Sequence, residues 1–296
     1  MGVIGNPGAG APGAMHVLPE VEAFARRYAD RVRVATPAPG ERLETLAATI
    51  ADEVDQIIVV GGDGTLNGVV NGVLASARPD VTLALLPAGR GKDSARSLPS
   101  LTRADLERVP AEWTCRQIDA GRVTTPTGEP RHFINIASLG LGATSARIAA
   151  RLPRLPGTTC YLLGAAAGLV GDPAVDVHLR FDDAPDVSLN GCRLIAVANG
   201  RYFGGGLHIA PMAAADDGLL DVVTVAGASR AEILRNLPRV FTGAHMTHPA
   251  VRHWRTTHLK IEADPAIGVE TNGEVLDGTP ASFEVVPRAI RWAVPA

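Results

Sequence analysis

The 296-residue chain has few cysteines, few aromatic residues and no excess of charge of either sign. Its three cysteines, Cys115, Cys160 and Cys192, are odd in number and far apart, which excludes a zinc pattern and a disulfide framework. Its 28 basic and 31 acidic residues are interspersed, so the chain has neither a basic stripe nor a charged tail. We therefore expect no nucleic-acid partner.

Long apolar runs and a leader segment are also missing. The longest apolar stretch, CYLLGAAAGLVG at 160–171, is shorter than the roughly 20 residues that span a bilayer. The first residues, MGVIGNPGAG, have neither the basic nor the apolar segment of a signal peptide. With 46% hydrophobic residues available for its cores, the sequence predicts a soluble cytoplasmic protein.

Hydrophobic periodicity divides the chain into two parts of different character. Up to about residue 115, strand and helix patterns alternate, which predicts a parallel sheet with helices on both faces. From about residue 116, many short strand patterns follow, with only two helical segments near 143–151 and 229–241. We predict an α/β nucleotide-binding domain at 1–115 and a β-rich, antiparallel, sandwich-like domain at 116–296.

The segment IIVVGGDGTLNGVVNGV at 57–73 carries the clearest functional signal. A β-branched run ends on Gly61, Gly62, Asp63 and Gly64, and apolar residues then recur at helical spacing. Glycines at such a turn allow positive φ angles and the close approach of a ligand, and N–H groups at a helix N-terminus bind anions. A bare Asp63 carboxylate would repel a phosphate, whereas a shared divalent cation removes that conflict. The segment predicts a nucleoside triphosphate bound with magnesium.

Two other glycine-rich segments are less specific. GNPGAGAPG places Gly8, Gly10 and Gly13 in the spacing of a dinucleotide fingerprint, but the next strand ends in Thr36 and Pro37 instead of an acidic residue. Another kind of glycine-rich nucleotide loop, or a plain turn, is favoured there. AGRGKDSAR at 88–96 lacks the spacing of a P-loop.

Acidic residues and histidines offer two possible metal sites. APMAAADDGLLDV groups Asp216, Asp217 and Asp221 at a glycine turn. Asp-Gly is a common turn signal, and two adjacent carboxylates also suit a hard cation; from these residues alone we favour the turn. The histidines at 245, 248 and 253 have no acidic or sulfur ligand to complete a zinc set, so a packing or solvated role is favoured.

Six segments, taken in order, resemble the motifs of the diacylglycerol kinase catalytic superfamily, which includes sphingosine and ceramide kinases and bacterial lipid kinases. The segments are NPGAG, GGDGTLNGVVNGV, LPAGRGKDSAR, FINIASLGLGA, NGRYFGGGLHIAPMAAADDGLLDV and ETNGEVLDG. The resemblance implies an α/β nucleotide domain followed by a β-sandwich-like domain, with terminal strands that pack back on the first domain. It also implies that ATP binds in the cleft between the domains and phosphorylates a lipid hydroxyl.

The same resemblance implies roles for individual residues. Asp63 would hold magnesium or position the reacting groups, and Asn272 and Glu274 lie in the family's catalytic Asp-Gly-Glu turn. Asp216 and Asp217 match the acidic turn that binds a second, structural magnesium in some bacterial members. The residues implied to bind the nucleotide are Asn6, Pro7, Gly61, Gly62, Gly64, Thr65, Asn67, Gly89, Arg90, Lys92 and Asp93.

Four positions depart from the family pattern. Arg90 and Lys92 replace Thr and Asn, which places two cations beside the expected phosphates, and Gly68 stands where relatives often have Glu. Asn272 replaces the Asp proposed as the general base, and an amide cannot accept the hydroxyl proton near neutral pH. A carboxylate at Glu270, Glu274 or Asp277 could substitute, or the transfer could proceed without a base.

We expect an ATP- and magnesium-dependent kinase that phosphorylates a hydroxyl of a lipid or lipid-like acceptor such as diacylglycerol, with peripheral contact to a membrane. Three alternatives stay open. The first is a divergent enzyme acting on a non-lipid small molecule, and the second is a nucleotide-binding pseudokinase. The third is a polyphosphate/ATP-NAD kinase, against which the acidic turn and the Asn-Gly-Glu segment argue. The oligomeric state is not predicted.

Overall fold

A computed structural model describes residues 1–7, 13–89, 92–108, 113–152, 157–182 and 184–294. Packing within the chain divides it into two compact units. Unit 1 comprises Met1–Asp119 and Arg288–Ala296, and unit 2 comprises Ala120–Pro287.

Unit 1 is a parallel sheet with helices. Its elements are β1 (Gly2–Gly5), α1 (Gly13–Tyr28), β2 (Arg33–Ala35), α2 (Leu43–Ala51), β3 (Gln56–Gly61), α3 (Asp63–Ala75), β4 (Thr82–Pro87), α4 (Asp93–Ser97) and a 3₁₀ helix (Arg103–Glu107). The strands pair in parallel in the order β2, β1, β3, β4. Arg291 and Trp292 of the chain's last strand then pair in parallel with β4.

The sequence pattern explains the core of unit 1. Val59 and Val60 of β3 are fully buried, as expected for a β-branched run in a strand covered on both faces. Val69 and Val73 of α3 are buried as well. Gly72 faces α2 so closely that an added Cβ would collide with the carbonyl of Glu44, so this glycine lets the two helices pack tightly.

Unit 2 is antiparallel and β-rich. Its elements are β5 (Thr114–Thr124, shared with unit 1), β6 (Arg131–Phe133), β7 (Ile136–Gly140), α5 (Leu141–Ala150), α6 (Gly157–Gly171), β8 (Val175–Phe181), β9 (Val187–Ala198), β10 (Leu220–Ala226), α7 (Arg230–Val240), a 3₁₀ helix (Ala244–Thr247), β11 (Val251–Thr256), β12 (His258–Asp264), β13 (Gly268–Thr271), β14 (Glu274–Gly278) and β15 (Ala281–Val294, also shared with unit 1). The order β14, β13, β7, β9, β8, β12, β15 is antiparallel throughout. β10 pairs with β9 and β11, and β5 pairs with β6. The predicted fold class, a parallel α/β part followed by a β-rich antiparallel part, is confirmed.

The helix α6 is the main element that the sequence pattern does not predict. It contains the whole apolar stretch at 160–171 and carries no charged residue. An added Cβ at Gly164 would lie 2.7 Å from Cα of Ser145 in α5, so the two helices touch through small residues. A helix that is apolar on most sides has no polar face and shows no helical periodicity. Within the described residues, no helix combines the length and apolar character required to cross a membrane.

Candidate functional site

The carboxyl ends of three strands of unit 1 lie side by side. The parallel register pairs Gly5 at the end of β1 with Val60, and it pairs Gly61 at the end of β3 with Pro87 of β4. The segments that follow these ends are therefore neighbours: Asn6 and Pro7, the turn at 61–63, and the loop that starts at Ala88. Ligands of parallel α/β sheets bind at this edge.

The glycines of the turn are required for close packing rather than for unusual backbone angles. A Cβ at Gly61 would lie 2.6 Å from Cβ of Thr65, and one at Gly62 would lie 2.9 Å from Cα of Gly89. None of Gly61, Gly62 or Gly64 uses the freedom to take a positive φ angle. Glycine is needed because the turn and the loop at Gly89 press backbone against backbone.

Asp63 joins the turn to the next helix. Its Oδ1 accepts a hydrogen bond from the backbone N–H of Ser94 at 2.6 Å, and its Oδ2 accepts one from Asp93 at 3.2 Å. The carboxylate thus lies at the N-terminus of α4, where a negative charge is stabilised by backbone N–H groups. Asp63 is partly buried, and its hydrogen bonds hold the glycine turn against the loop that leads into α4.

Several buried polar atoms beside this turn have no hydrogen-bond partner among the described residues. They are Oγ1 of Thr65, Oδ1 of Asn67 and Oγ of Ser94. Thr65 is 3% exposed and Ser94 is 1% exposed. Buried polar groups are nearly always paired, so these atoms mark a place where a ligand or water would be expected.

The loop before α4 contains the two predicted cations. Lys92 is exposed and has a φ of 57°, in the left-handed region, directly before the helix. Asp93 is buried and accepts a hydrogen bond from Nη1 of Arg96 at 2.9 Å. Arg90 lies outside the described residues, as do Gly8 and Gly10 of the first glycine-rich segment.

In unit 2 the departure at Asn272 lies at a tight hairpin. Asn272 and Gly273 join β13 to β14 with φ angles of 49° and 89°. Two consecutive positive φ angles in a two-residue loop are typical of a type I′ turn, for which Asn-Gly is a preferred pair. Nδ2 of Asn272 is buried and has no partner among the described residues.

The three carboxylates near this hairpin that could replace the missing base all have hydrogen-bond or ion-pair partners. Arg131 forms an ion pair with Glu274 at 3.0 Å, and Thr127 donates a hydrogen bond to Asp277. Glu270 is 2% exposed and accepts hydrogen bonds from Ser138 Oγ at 2.6 Å and from the N–H of Gly273.

Glu270 is the most deeply buried of these three carboxyl groups. Burial raises the pKa of this carboxyl to about 7, against the opposing effect of its hydrogen bonds with Ser138 and Gly273. Glu270 pairs with Ser138 across β13 and β7, a register that sequence spacing does not reveal. The carboxyl group of Glu270 therefore contacts the turn formed by Asn272 and Gly273, through its hydrogen bond with Gly273.

The acidic turn at 216–217 has a cationic partner that the sequence analysis missed. Arg255 of β11 forms an ion pair with Asp217, and Oδ1 of Asp217 accepts the N–H of Leu219 at 3.1 Å. The buried Asp221 lies 2.5 Å from Nε2 of His253. Among the described residues, no three His, Cys, Asp or Glu side chains are grouped to hold a metal ion. A structural magnesium at Asp216 and Asp217 stays a prediction, and it would compete with Arg255.

An apolar cavity of about 90 Å³ lies in unit 2. Its walls come from α5, α6, α7 and the strands β9 to β11, and they include Tyr161, Leu207, Ile233 and Leu237. His245 also lines it, and burial lowers the pKa of this histidine, whose Nε2 lies 3.1 Å from the carbonyl of Ile209. The cavity can receive a short apolar group.

Two family profiles match the chain. The profile described as the diacylglycerol kinase catalytic domain matches residues 1–125. The profile described as the YegS C-terminal NAD kinase beta sandwich-like domain matches residues 135–294. Together they cover both units.

Individual relatives cover most of the chain. A diacylglycerol kinase of Mycobacterium tuberculosis is 31% identical over 268 residues, which are 90% of this chain and 85% of the relative. A Pseudomonas aeruginosa protein named "Probable lipid kinase YegS-like" is 33% identical over 257 residues, 86% of this chain and 80% of the relative. The crystal structure of a diacylglycerol kinase from Bacillus anthracis has a similar fold, with a TM-score of 0.70 at 21% identity, covering 98% of this chain and 95% of that one. With this fold, these motifs and these relatives, the chain belongs to the diacylglycerol kinase and YegS-like lipid kinase family.

Proposed function

We propose that this chain is an ATP- and magnesium-dependent kinase that transfers the γ-phosphoryl group to a hydroxyl of a lipid or lipid-like acceptor. Diacylglycerol is the first acceptor to test, because the relative from Mycobacterium tuberculosis carries that name. The observation that carries the proposal is the junction of the turn at 61–63 with Gly89 and with the N-terminus of α4.

The junction has the properties of a phosphate site. The N-cap of α3 is Gly62, which provides no side-chain cap, so an anion can take that place. Oγ1 of Thr65 and Oγ of Ser94 are buried beside it without partners among the described residues. Lys92 stands exposed at the start of α4 and adds a positive charge. We assign the phosphates of ATP to this junction.

Bound ATP and magnesium would supply the phosphoryl group and much of the charge neutralisation that its transfer needs. Asp63 would share the magnesium while its carboxylate keeps α4 in place through Asp93 and Ser94. Phosphoryl transfer depends mainly on positioning, so a carboxylate that fixes two loops serves the chemistry even before it contacts a ligand.

The apolar cavity of unit 2 supports an acceptor with an apolar portion. Its volume of about 90 Å³ is smaller than the roughly 150 Å³ of an engineered cavity that admits benzene. A short acyl chain would therefore enter with less rearrangement than a long one. We expect faster phosphorylation of short-chain than of long-chain diacylglycerol in mixed micelles.

Peripheral membrane contact is part of the proposal. The outward side of α7 exposes Leu234 and Arg235, and Phe241 follows at the end of the helix, while Ile233 and Leu237 line the apolar cavity. Exposed apolar residues next to arginines suit the surface of an anionic membrane. Sedimentation with anionic vesicles measures this contact, and Leu234→Glu should weaken it.

One alternative has support from a specific observation. Asn272 cannot accept a proton, and all three neighbouring carboxylates have partners, which favours a nucleotide-binding pseudokinase. This protein would bind ATP without transferring its phosphoryl group.

The deciding experiment offers radiolabelled ATP, magnesium and diacylglycerol to the full chain. We expect labelled lipid, and we expect Asp63→Asn to abolish labelling while the exposed Asp30→Asn leaves it unchanged. ATP binding without transfer to any alcohol would establish the pseudokinase. Transfer only to a non-lipid alcohol would establish a divergent enzyme with a different acceptor.

A further inference from the structure

A second cavity of unit 2 has a different chemical character from the apolar one. Its volume is about 190 Å³, and it is lined by α5, the end of α6, the start of β8, part of β9 and the loop before β13. The polar side chains that line it include Thr144, Arg147, Asp172 and Arg193.

Two guanidinium groups in this cavity lack carboxylate partners. Nη1 of Arg193 donates a hydrogen bond to the backbone carbonyl of Asp172 at 3.1 Å, and its Nε is buried without a partner among the described residues. Arg147 lies over Gly268, where an added Cβ would be 3.7 Å from its Nη2. Within the described part of the chain, neither arginine forms an ion pair. Two cations that share a cavity and have no ion-pair partner among the described residues favour an anion between them.

The other polar groups of the cavity indicate which class of anion fits it. The Asp172 carboxylate lines the same cavity, and its oxygens accept no hydrogen bond from the described residues. A carboxylate repels a bare phosphate but accepts a hydrogen bond from a hydroxyl. Cys192 adds no charge, because burial raises the pKa of its thiol to about 12.

We propose that this cavity binds a phosphate monoester with a neighbouring hydroxyl group, of the glycerol phosphate type. The phosphate lies on Arg147 and Arg193, and the hydroxyl donates to Asp172. This chemistry occurs in free polyol phosphates and in the headgroup of a lysolipid phosphate, whose glycerol keeps a free hydroxyl beside the phosphate. The site lies apart from the glycine turn of unit 1 in sequence and composition, and it is tested by binding alone.

Calorimetric titration of the full chain with glycerol 3-phosphate tests the site. Arg147→Met and Arg193→Met should each weaken binding at least about 10-fold, since each removes charge-assisted hydrogen bonds. Arg151→Met is the matched control, because Arg151 is an exposed arginine at the end of α5 that does not line the cavity. Arg147 is exposed, so its replacement should leave the fold intact. Equal affinity in wild type and Arg147→Met would overturn the proposal, because the ligand would then bind elsewhere.

Asp172→Asn tests the role of the carboxylate. The wild type should prefer glycerol 3-phosphate to inorganic phosphate, and the variant should lose most of that preference by binding inorganic phosphate more tightly. An unchanged preference would refute the assigned contact. Vesicles that contain lysophosphatidate, whose glycerol keeps a free hydroxyl beside the phosphate, form the second arm: binding to them that depends on Arg147 identifies a lipid headgroup as the source, and binding to the soluble ester alone identifies a free polyol phosphate.

Discussion

At the scale of single residues, two non-glycine positions with positive φ angles have different explanations. One is accounted for by its turn, and the other is not. Asn272 has a φ of 49°, but asparagine before glycine is ordinary in a type I′ hairpin. Lys92 has a φ of 57° outside any hairpin, and long side chains rarely adopt this region. The strain at Lys92 therefore does not serve stability, and the proposed role of this side chain in binding phosphates would account for it.

The first prediction concerns Lys92→Asn. Asparagine tolerates the left-handed region, so the free energy of unfolding should rise by about 1 kcal/mol. ATP affinity should fall about 10-fold with the loss of a charge-assisted contact. Urea denaturation and nucleotide titration measure the two effects. Lys92→Arg is the control, since it keeps both charge and strain and should resemble wild type. Unchanged ATP affinity in Lys92→Asn would remove this side chain from the phosphate site.

The second prediction concerns Asn272→Asp, which restores the residue of the family motif. Aspartate also tolerates a positive φ, so the hairpin should survive and the change in rate should report the chemistry. We expect diacylglycerol phosphorylation to rise by roughly 10²-fold, the lower end for a general base. The assay compares initial rates of the two proteins at saturating ATP. A fall in rate would indicate a site rebuilt around the amide, where a carboxylate repels phosphates.

The third prediction concerns the buried Glu270. The pKa of Glu270 is raised to about 7, so the stability that it contributes is complete below the unfolded pKa of 4.5 and is lost as the pH rises through 7. At pH 8.5, Glu270→Gln should therefore stabilise the protein, by on the order of 3 kcal/mol at most. At pH 4.5 the two proteins should be nearly equal. Thermal melting at both pH values measures this, and the exposed Glu274→Gln should not show the same pH dependence.

At the scale of elements, the sequence predicted those whose apolar residues recur with a clear period. The segment near 229–241 became α7 at Arg230–Val240, and the segment near 143–151 became α5 at Leu141–Ala150. α6 lacks such a period because glycine and alanine, rather than one apolar stripe, form its contact with α5. The contact between the glycine turn and Gly89 is likewise not visible in either segment alone, because it forms only when the two loops pack together.

The fourth prediction tests that contact with Gly89→Ala. The added methyl group would collide with Cα of Gly62, so the loops must separate. We expect a loss of about 1–3 kcal/mol in the free energy of unfolding and a loss of ATP binding. Gly171→Ala is the control, because a Cβ there meets nothing within 4 Å and should be neutral or slightly stabilising. Normal ATP binding by Gly89→Ala would show that the loops need not touch.

At the scale of the whole molecule, unit 1 is assembled from both ends of the chain. Trp292 is fully buried in it, and the indole N–H donates a hydrogen bond to the carbonyl of Pro99 at 2.8 Å. Arg288 donates its backbone N–H to Asp119 at 2.7 Å. Unit 1 is therefore incomplete without the last residues, although the segments for which we propose nucleotide binding all lie before residue 97.

The fifth prediction follows from this discontinuity. Trp292→Ala should cost about 3–5 kcal/mol, a large share of the stability of a typical domain. We expect ATP binding to be lost even though no nucleotide motif has changed. Trp254→Ala, on the partly buried edge of the unit 2 core, should leave ATP binding in place. Melting curves and nucleotide titration distinguish the two variants, and undiminished ATP binding by Trp292→Ala would contradict the assembly of unit 1 from both ends.

The sequence by itself determined the class of each part and the family. Strand and helix periods are local properties, and collinear motifs such as GGDGT and LPAGRGKD can be recognised without knowing what they touch. The same local information predicted the turn at Asp63 and the departure at Asn272. It could not rank Glu270 above Glu274 or Asp277, because all three are acidic residues near one turn and only burial separates them.

Only the tertiary structure decided which residues meet. The ion pair of Arg255 with Asp217, the burial of Glu270 against Ser138 and the packing of Gly62 on Gly89 join positions that are between 27 and 132 residues apart. Strand register and loop packing create these pairs, and neither is encoded in local spacing. A carboxylate acquires a high pKa, a cation partner or a capping role only from the neighbours that folding brings to it. The chemistry of single residues in this chain therefore depends on tertiary contacts, which local sequence does not determine.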